Sequence, residues 1–307
     1  MPENAFASDF FGPWESVVES WSDFQHAANE LTERYSTRQM VWRGTRQANW
    51  GVMSSLYRAL QDQLGRPPSE NQMNAAEVRI LELARNDWRF DGMAALETMA
   101  HLQHLGAPTR LLDVTANPLV ALWFAVEQHA TDDEHDARLL AFVADTREIR
   151  LNARWYGRDL RWHSLTTTKQ RIEAKWGTGL GRRLWRPPAF NTRIPAQNAA
   201  FLIDGVPSDA PENGLGRQGP EIERAWNAEE MSLVSSMPLK LTQIRRGELP
   251  ASAAPVFTYR ISAHAKVEIR DQLERRYGFR ASSIYSDLGG LAEYLRLRPS
   301  LLTAATI

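Results

Sequence analysis

The amino-acid sequence predicts an α+β protein with a mixed β core, flanking helices and a helix-rich N-terminal part. Three observations carry that expectation. Amphipathic three- and four-residue spacing dominates the first part of the chain, short apolar runs of strand character dominate the second, and no internal repeat or low-complexity tract interrupts either. A chain of 307 residues that is 43% hydrophobic can also bury a sizeable core, as one large domain or two small ones.

Each element has a local reason. Val17, Val18, Trp21, Phe24, Ala28 and Leu31 keep helical spacing, which predicts a first helix over 14–35. Met40-Val41-Trp42 reads as a short strand closed by Arg43-Gly44. A turn and short helix follow over 50–60, and Gly65-Arg66-Pro67-Pro68 is a loop. Ser69 is placed to cap a helix through Glu77, Ile80, Leu81 and Ala84, and the helix over 93–105 meets a C-terminal glycine at Gly106. Asn117-Pro118 is a helix start, with Asn as cap and Pro at the first helical position; the helix is apolar on most sides and must be deeply buried. Strands are expected over 139–144, 200–203, 239–244 and 256–261, and further helices over 266–277, stopped by Gly278, and 287–297.

Composition removes several function classes. The absence of cysteine excludes disulfides, thiolate nucleophiles and cysteine-ligated zinc. A formal charge of −1 gives no net attraction to nucleic acid or acidic membranes. No apolar run approaches roughly 18 residues and the first residues lack the pattern of a leader, so a cytoplasmic protein without a membrane partner is expected. His101 and His104 stand three apart on a helix, yet no third ligand follows at a telling spacing and no metal is expected. Gly177-Thr178-Gly179-Leu180-Gly181 follows no strand and reads as a turn rather than a phosphate cradle.

Gln103-His104-Leu105-Gly106-Ala107-Pro108-Thr109-Arg110-Leu111-Leu112-Asp113-Val114-Thr115 is the most informative segment, because it sets ionisable and hydroxyl groups where a buried stretch needs only apolar ones. Such a cluster is either a satisfied polar network or a site. Arg110 and Asp113, three apart, can pair with each other, and Thr109 can close the turn. Arg43 has no local carboxylate, so an anionic ligand, or a distant partner such as Glu77 or Asp113, must satisfy it.

Residues 151–190 differ from the rest in charge. Nine basic residues against two acidic ones give +7 there. Arg154, Trp155, Arg158, Arg161, Trp162, Lys175, Arg182 and Arg183 have the composition of a nucleic-acid surface, with cations for phosphates and rings for bases. The other reading is a helical insertion whose tryptophans pack on the body while the arginines stay solvated.

The chain resembles the FRG-domain family in Trp42-Arg43-Gly44 with Trp50 and Ser55-Leu56-Tyr57-Arg58, in Gln103-His104-Leu105-Gly106 with Pro108-Thr109-Arg110-Leu111-Leu112-Asp113 and Thr115, and in Pro118 through Ala125. The likeness continues in Arg193-Ile194-Pro195-Ala196-Gln197 and Ser286-Asp287-Leu288-Gly289-Gly290. Trp42, Thr45, Leu105 and Val114 depart from the family pattern, as does the missing glycine after Gln197. The resemblance implies a helical extension over 1–37, an FRG-like domain over 38–296 carrying the basic insertion at 151–190, and a tail over 297–307.

A second resemblance is to ADP-ribosyltransferases of the Arg-Ser-Glu type, through the order Val41-Trp42-Arg43-Gly44, Leu112-Asp113-Val114-Thr115, Val120-Ala121-Leu122-Trp123-Phe124-Ala125 and 139–144. It implies an ADP-ribosyltransferase-like core that uses NAD as substrate. Arg43, Gly44, Thr45, Trp50, His104, Thr109 and Arg110 would then contact the dinucleotide. Arg43, Asp113, Thr115 and Gln197 or Glu230 would serve catalysis, with Glu229 a further carboxylate in similar sequential position. The guanidinium offers a fixed fork of donors to a pyrophosphate, and a carboxylate near the ribose stabilises oxocarbenium character. The same resemblance implies a nucleic-acid or protein acceptor and, for a toxin or phage-defence effector, a neutralising partner protein. Two other readings stay open: a non-catalytic nucleotide- or nucleic-acid-binding module, and a hydrolase using His104 and Asp113 as an acid–base pair.

Overall fold

Among the described residues eight strands form one open mixed sheet: β1 (Glu15–Val18), β2 (Gln39–Thr45), β3 (Leu112–Thr115), β4 (Ala137–Ala144), β5 (Glu148–Ile149), β6 (Arg183–Trp185), β7 (Ala199–Ile203) and β8 (Val256–Ile261), in spatial order β1-β8-β4-β2-β3-β7-β6-β5. The computed structural model describes residues 5–129, 131–144, 148–149, 157–208, 226–243, 254–298 and 302. Among these residues the helices are α1 (Ala5–Phe11), α2 (Trp21–Arg34), α3 (Ser55–Leu64), α4 (Glu70–Glu82), α5 (Ala95–His104), α6 (Pro118–Val126), α7 (Thr168–Glu173), α8 (Arg193–Ala196), α9 (Ala228–Ser232), α10 (Ala265–Tyr277), α11 (Ala281–Ile284) and α12 (Leu288–Leu297). The outer pairs β1·β8 and β5·β6 are parallel, and the inner pairs are antiparallel.

Period-two alternation divides β4 between two cores. Leu139, Ala141 and Val143 join Trp42, Phe257 and Tyr259 under α2, α6 and α10. Leu140 and Phe142 point the other way, to Val41, Leu112, Val114, Leu202 and the Phe10-Phe11 pair of α1. The capping signals hold as the sequence predicts. Ser69 and Gln72 form a capping box on α4, the Asn117 side chain accepts from the Leu119 N–H at 2.9 Å, and Gly278 ends α10 in the left-handed region. α6 is buried over most of its length, and a Cβ on Gly44 would stand 1.9 Å from the Ala121 carbonyl oxygen. Only glycine lets β2 lie this close to α6.

Three expectations need correction. The 14–35 helix begins instead at Trp21 with Ser20 as its cap, because Val17 and Val18 pair with Arg260 and Ile261 of β8. Residues 1–37 therefore supply a sheet strand as well as helices. The segment 151–190 contributes β6 to the same sheet. In the expected strand over 239–244, Leu241 makes an isolated bridge to Val256, and Ile244 lies outside the described residues.

Candidate functional site

The site begins where two strands part. β2 pairs with β4 over seven residues but with β3 at a single registered position, Trp42 opposite Thr115. Beyond it the ladder ends, and the Arg43 side chain bridges the gap by donating from Nη1 to the Asp113 carbonyl at 2.7 Å. The fork holds a cavity of about 230 Å³ bounded by Arg43, Asp113, Thr115, Phe124, Gln197 and neighbouring backbone. Arg43 Nε is buried without a hydrogen-bond partner, and no ion pair within 4.0 Å reaches the guanidinium among the described residues. Burial pulls its pKa below that of free arginine; Asp113 opposes the shift and Arg58 adds to it. A guanidinium remains charged at neutral pH, so this is a cation short of a counter-ion.

Asp113 lies on the exposed side of β3 beside this cation. Its Oδ1 accepts from Gln103 Nε2 at 2.7 Å, and Gln103 Oε1 accepts in turn from the Thr109 hydroxyl. Thr115 reaches the cavity, but its hydroxyl is engaged: it donates to the Gln197 carbonyl at 2.7 Å and accepts from the Asn117 N–H at 3.0 Å. The Gln197 amide donates to the Ile284 carbonyl at 3.1 Å. Asp113 is the carboxylate on the cavity wall among the described residues.

Residues 38–134 match the model of the FRG domain. The match runs from β2 through α6 and includes Arg43, Gln103, Thr109, Arg110, Asp113 and Thr115, while Gln197 and Glu230 lie beyond it. No curated protein and no solved structure matches the chain.

Within the matched region the structure divides the motif between cavity and framework. Arg110 belongs to the framework. It is 4% exposed, donates from Nε and Nη2 to Glu77 at 2.9 and 3.0 Å and from Nη1 to Glu70 at 3.0 Å, and reaches Asn74 at 2.9 Å. Burial works against this charge, yet Glu70 and Glu77 outweigh it and hold the guanidinium above free arginine. The pairing with Asp113 allowed by sequence spacing does not form, and four of the five N–H donors of Arg110 are spent on α4, in a buried position that keeps the side chain from a dinucleotide. Thr109 is fully buried, with its N–H on Ser55 Oγ at 2.9 Å and its carbonyl accepting from the Leu56 N–H at 3.0 Å. It is likewise removed from direct ligand contact.

The other expected contacts lie away from the cavity, Gly44 excepted. Gly44 stands at its edge, but the space a Cβ would need is filled by α6, so the glycine serves strand–helix packing rather than approach of a dinucleotide. Thr45 donates to the Gln47 carbonyl at 3.3 Å, and Trp50 packs under Arg46 at 5.7 Å. His104 Nε2 faces Asp287 at 3.5 Å, with burial first and then Arg193 holding its pKa below that of free histidine; His101 stacks on Phe190. His104 and Asp113 thus have separate partners and form no acid–base dyad. Glu230 reaches back from α9 to the Asn227 N–H at 3.1 Å in a capping box, and Glu229 is exposed on the same turn, so neither carboxylate enters the fork.

The basic segment buries its described tryptophans. Trp162, Trp176 and Trp185 are each at most 2% exposed, and the indole N–H groups of Trp162 and Trp176 donate to Glu77 at 2.8 Å and Glu70 at 2.9 Å. These rings complete the enclosure of Arg110, whose guanidinium lies 5.8 and 5.7 Å from their centroids. Arg182 is buried too, donating to the Ala254 carbonyl at 2.7 Å, and Arg183 is half-buried on β6. Arg158, Arg161 and Lys175 remain exposed, while Arg154 and Trp155 lie outside the described residues. The packed-insertion reading therefore describes Trp162, Trp176 and Trp185.

Sequence reasoning missed Gln103 as a partner of Asp113, and Phe124 and Arg58 as neighbours of Arg43. Gln103 was visible as a polar residue in the last turn of a helix, but its partner is set by the turn that follows. Among the described residues no group of three His, Asp or Glu side chains forms a metal-ligand set, and no helix is long and apolar enough to cross a membrane.

Proposed function

We propose that the Arg43 cavity takes the phosphate–ribose part of NAD and that the chain is an ADP-ribosyltransferase-like enzyme. The observation that carries this reading is the half-buried Arg43 in the β2–β3 fork, with its Nε buried and unpartnered and a carboxylate on the same wall. An incoming phosphate supplies the missing counter-charge, and a charge-assisted bond made in a partly desolvated cleft is stronger than one in water. Asp113 then faces the ribose, where a carboxylate stabilises the positive character that grows as the nicotinamide bond breaks. The cavity, at about 230 Å³, is smaller than a typical ligand pocket, so it holds one end of a dinucleotide and leaves the other across its open mouth. Transfer to a nucleic-acid or protein acceptor, and use as a toxin or phage-defence effector, follow from the same reading.

The engagement of Gln197 and Glu230 elsewhere favours a second reading, a module that binds a nucleotide without transforming it. Incubating the purified protein with labelled NAD and mixed DNA, RNA and protein separates the two. Label transfer that falls at least a hundredfold in Arg43→Ala supports the enzyme. Binding of NAD lost in Arg43→Ala without transfer supports the module, and NAD binding unchanged by Arg43→Ala removes both.

A further inference from the structure

We propose that Gln103 is a positioning residue that keeps the Asp113 carboxylate turned into the Arg43 cavity and out of an internal ion pair, a proposal that rests on reading the cavity as the ligand site. Asp113 sits in unusual company. Arg43 bonds its carbonyl at 2.7 Å, and Arg58 on α3 interacts electrostatically with both Asp113 and Arg43. A carboxylate near two guanidinia is attracted to both, and closing on Arg43 would give the buried, unpartnered Nε the acceptor it lacks. Here neither pair is closed among the described residues: Arg58 Nη1 donates to the Met53 carbonyl at 2.6 Å, and Arg43 is left with the backbone of residue 113. What holds the carboxylate is the Gln103 amide, at 2.7 Å from Oδ1.

The direction of that amide is dictated by donor arithmetic. The Asp113 carboxylate oxygen accepts and so must meet the amide nitrogen, while the Thr109 hydroxyl, which accepts from the Leu111 N–H at 3.2 Å, has its single hydrogen for the amide oxygen. Gln103 must therefore turn its oxygen to Thr109 and its nitrogen to Asp113. Thr109 cannot follow a moving glutamine, because it is fully buried and pinned through its N–H to Ser55 on α3. The relay from α3 through Thr109 and Gln103 fixes one carboxylate oxygen, while Oδ2 has no protein hydrogen bond among the described residues, on a residue that lines the cavity. Gln103 so keeps cation and carboxylate as two separate ligand-facing groups.

A simple cross-link between α5 and β3 would make the same hydrogen bond, so the test must reach beyond stability. Crystal structures of the wild type and Gln103→Leu are compared first. The Asp113 side chain is expected to swing onto Arg43 or Arg58 in the variant; an unmoved carboxylate overturns the proposal. Titration with ADP-ribose follows, in a double-mutant cycle with Asp113→Ala. Gln103→Leu should weaken binding at least tenfold in the wild-type background and change it less than twofold beside Asp113→Ala, whereas equal losses in both backgrounds mark a merely structural role and overturn it. Should Gln103→Leu fail to fold, Thr109→Val removes the hydroxyl that orients the amide and gives the same expectations. If wild-type protein ignores ADP-ribose, the NAD reading falls, while the crystal comparison still decides the role of Gln103.

Discussion

Arg110 and Arg43 show how two arginines in one motif come to opposite roles. Both are drawn from water, but Arg110 finds two carboxylates and an amide, and Arg43 finds a single carbonyl. The difference predicts different responses to mutation. Arg110→Met removes the counter-charge of Glu70 and Glu77 while they stay buried, at a cost of about 3–5 kcal/mol. Denaturant unfolding should register that loss, and Arg110→Met with Glu77→Gln should be more stable than Arg110→Met alone, since one uncompensated charge is gone. A double variant no more stable than the single one would mean that packing against Trp162 and Trp176, and not charge, is what Arg110 supplies.

At the scale of elements, the signals that proved legible were those in which a residue acts on its own neighbours. Asn117 caps α6 through Leu119 two residues on, and the Ser69–Gln72 box is closed within one turn. Asn117→Ala should cost about 1 kcal/mol, read as a lower unfolding midpoint, because the Leu119 N–H at the start of a buried helix loses its acceptor; an unchanged midpoint would show that packing alone places α6. The signals that misled depend on residues far away. Val17 and Val18 have helical spacing to Trp21 and Phe24, and nothing local reveals that β8, some 240 residues later in the chain, offers a strand edge. The tryptophans of 151–190 carry flat faces whether bound to bases or buried, and Glu70 and Glu77, which decide the matter, stand on α4. The site was legible in the same measure: the motif isolates Arg43 and Asp113, but the fork between them exists because the β2–β3 ladder stops after Trp42.

For the whole molecule, the titrating interior sets a pH dependence that one buried carboxylate makes measurable. Asp204 is 1% exposed and accepts from the N–H groups of Gly177 at 2.8 Å, Gly205 at 2.8 Å and Gly179 at 3.2 Å, which closes the 177–181 turn against the end of β7. Burial still dominates and raises its pKa from 3.8 to about 6, against these bonds and Arg182. Between those two values the native state holds a proton that the unfolded chain has released, so acidification through this window favours the native state. Paired carboxylates act in the other direction: Glu77, Asp132, Asp136 and Asp287 have lowered pKa values, and their contributions disappear as the pH falls through them. Total stability mixes both effects, so the clean quantity is the difference between the wild type and Asp204→Asn. From pH 7 to pH 4 that difference should shift in favour of the wild type by on the order of 3 kcal/mol, about 1.4 kcal/mol for each unit of displacement. Unfolding by urea at several pH values measures it directly. A difference that stays flat across this range would mean that Asp204 titrates alike in the folded and unfolded chain, and that the three glycine N–H groups fully offset its burial.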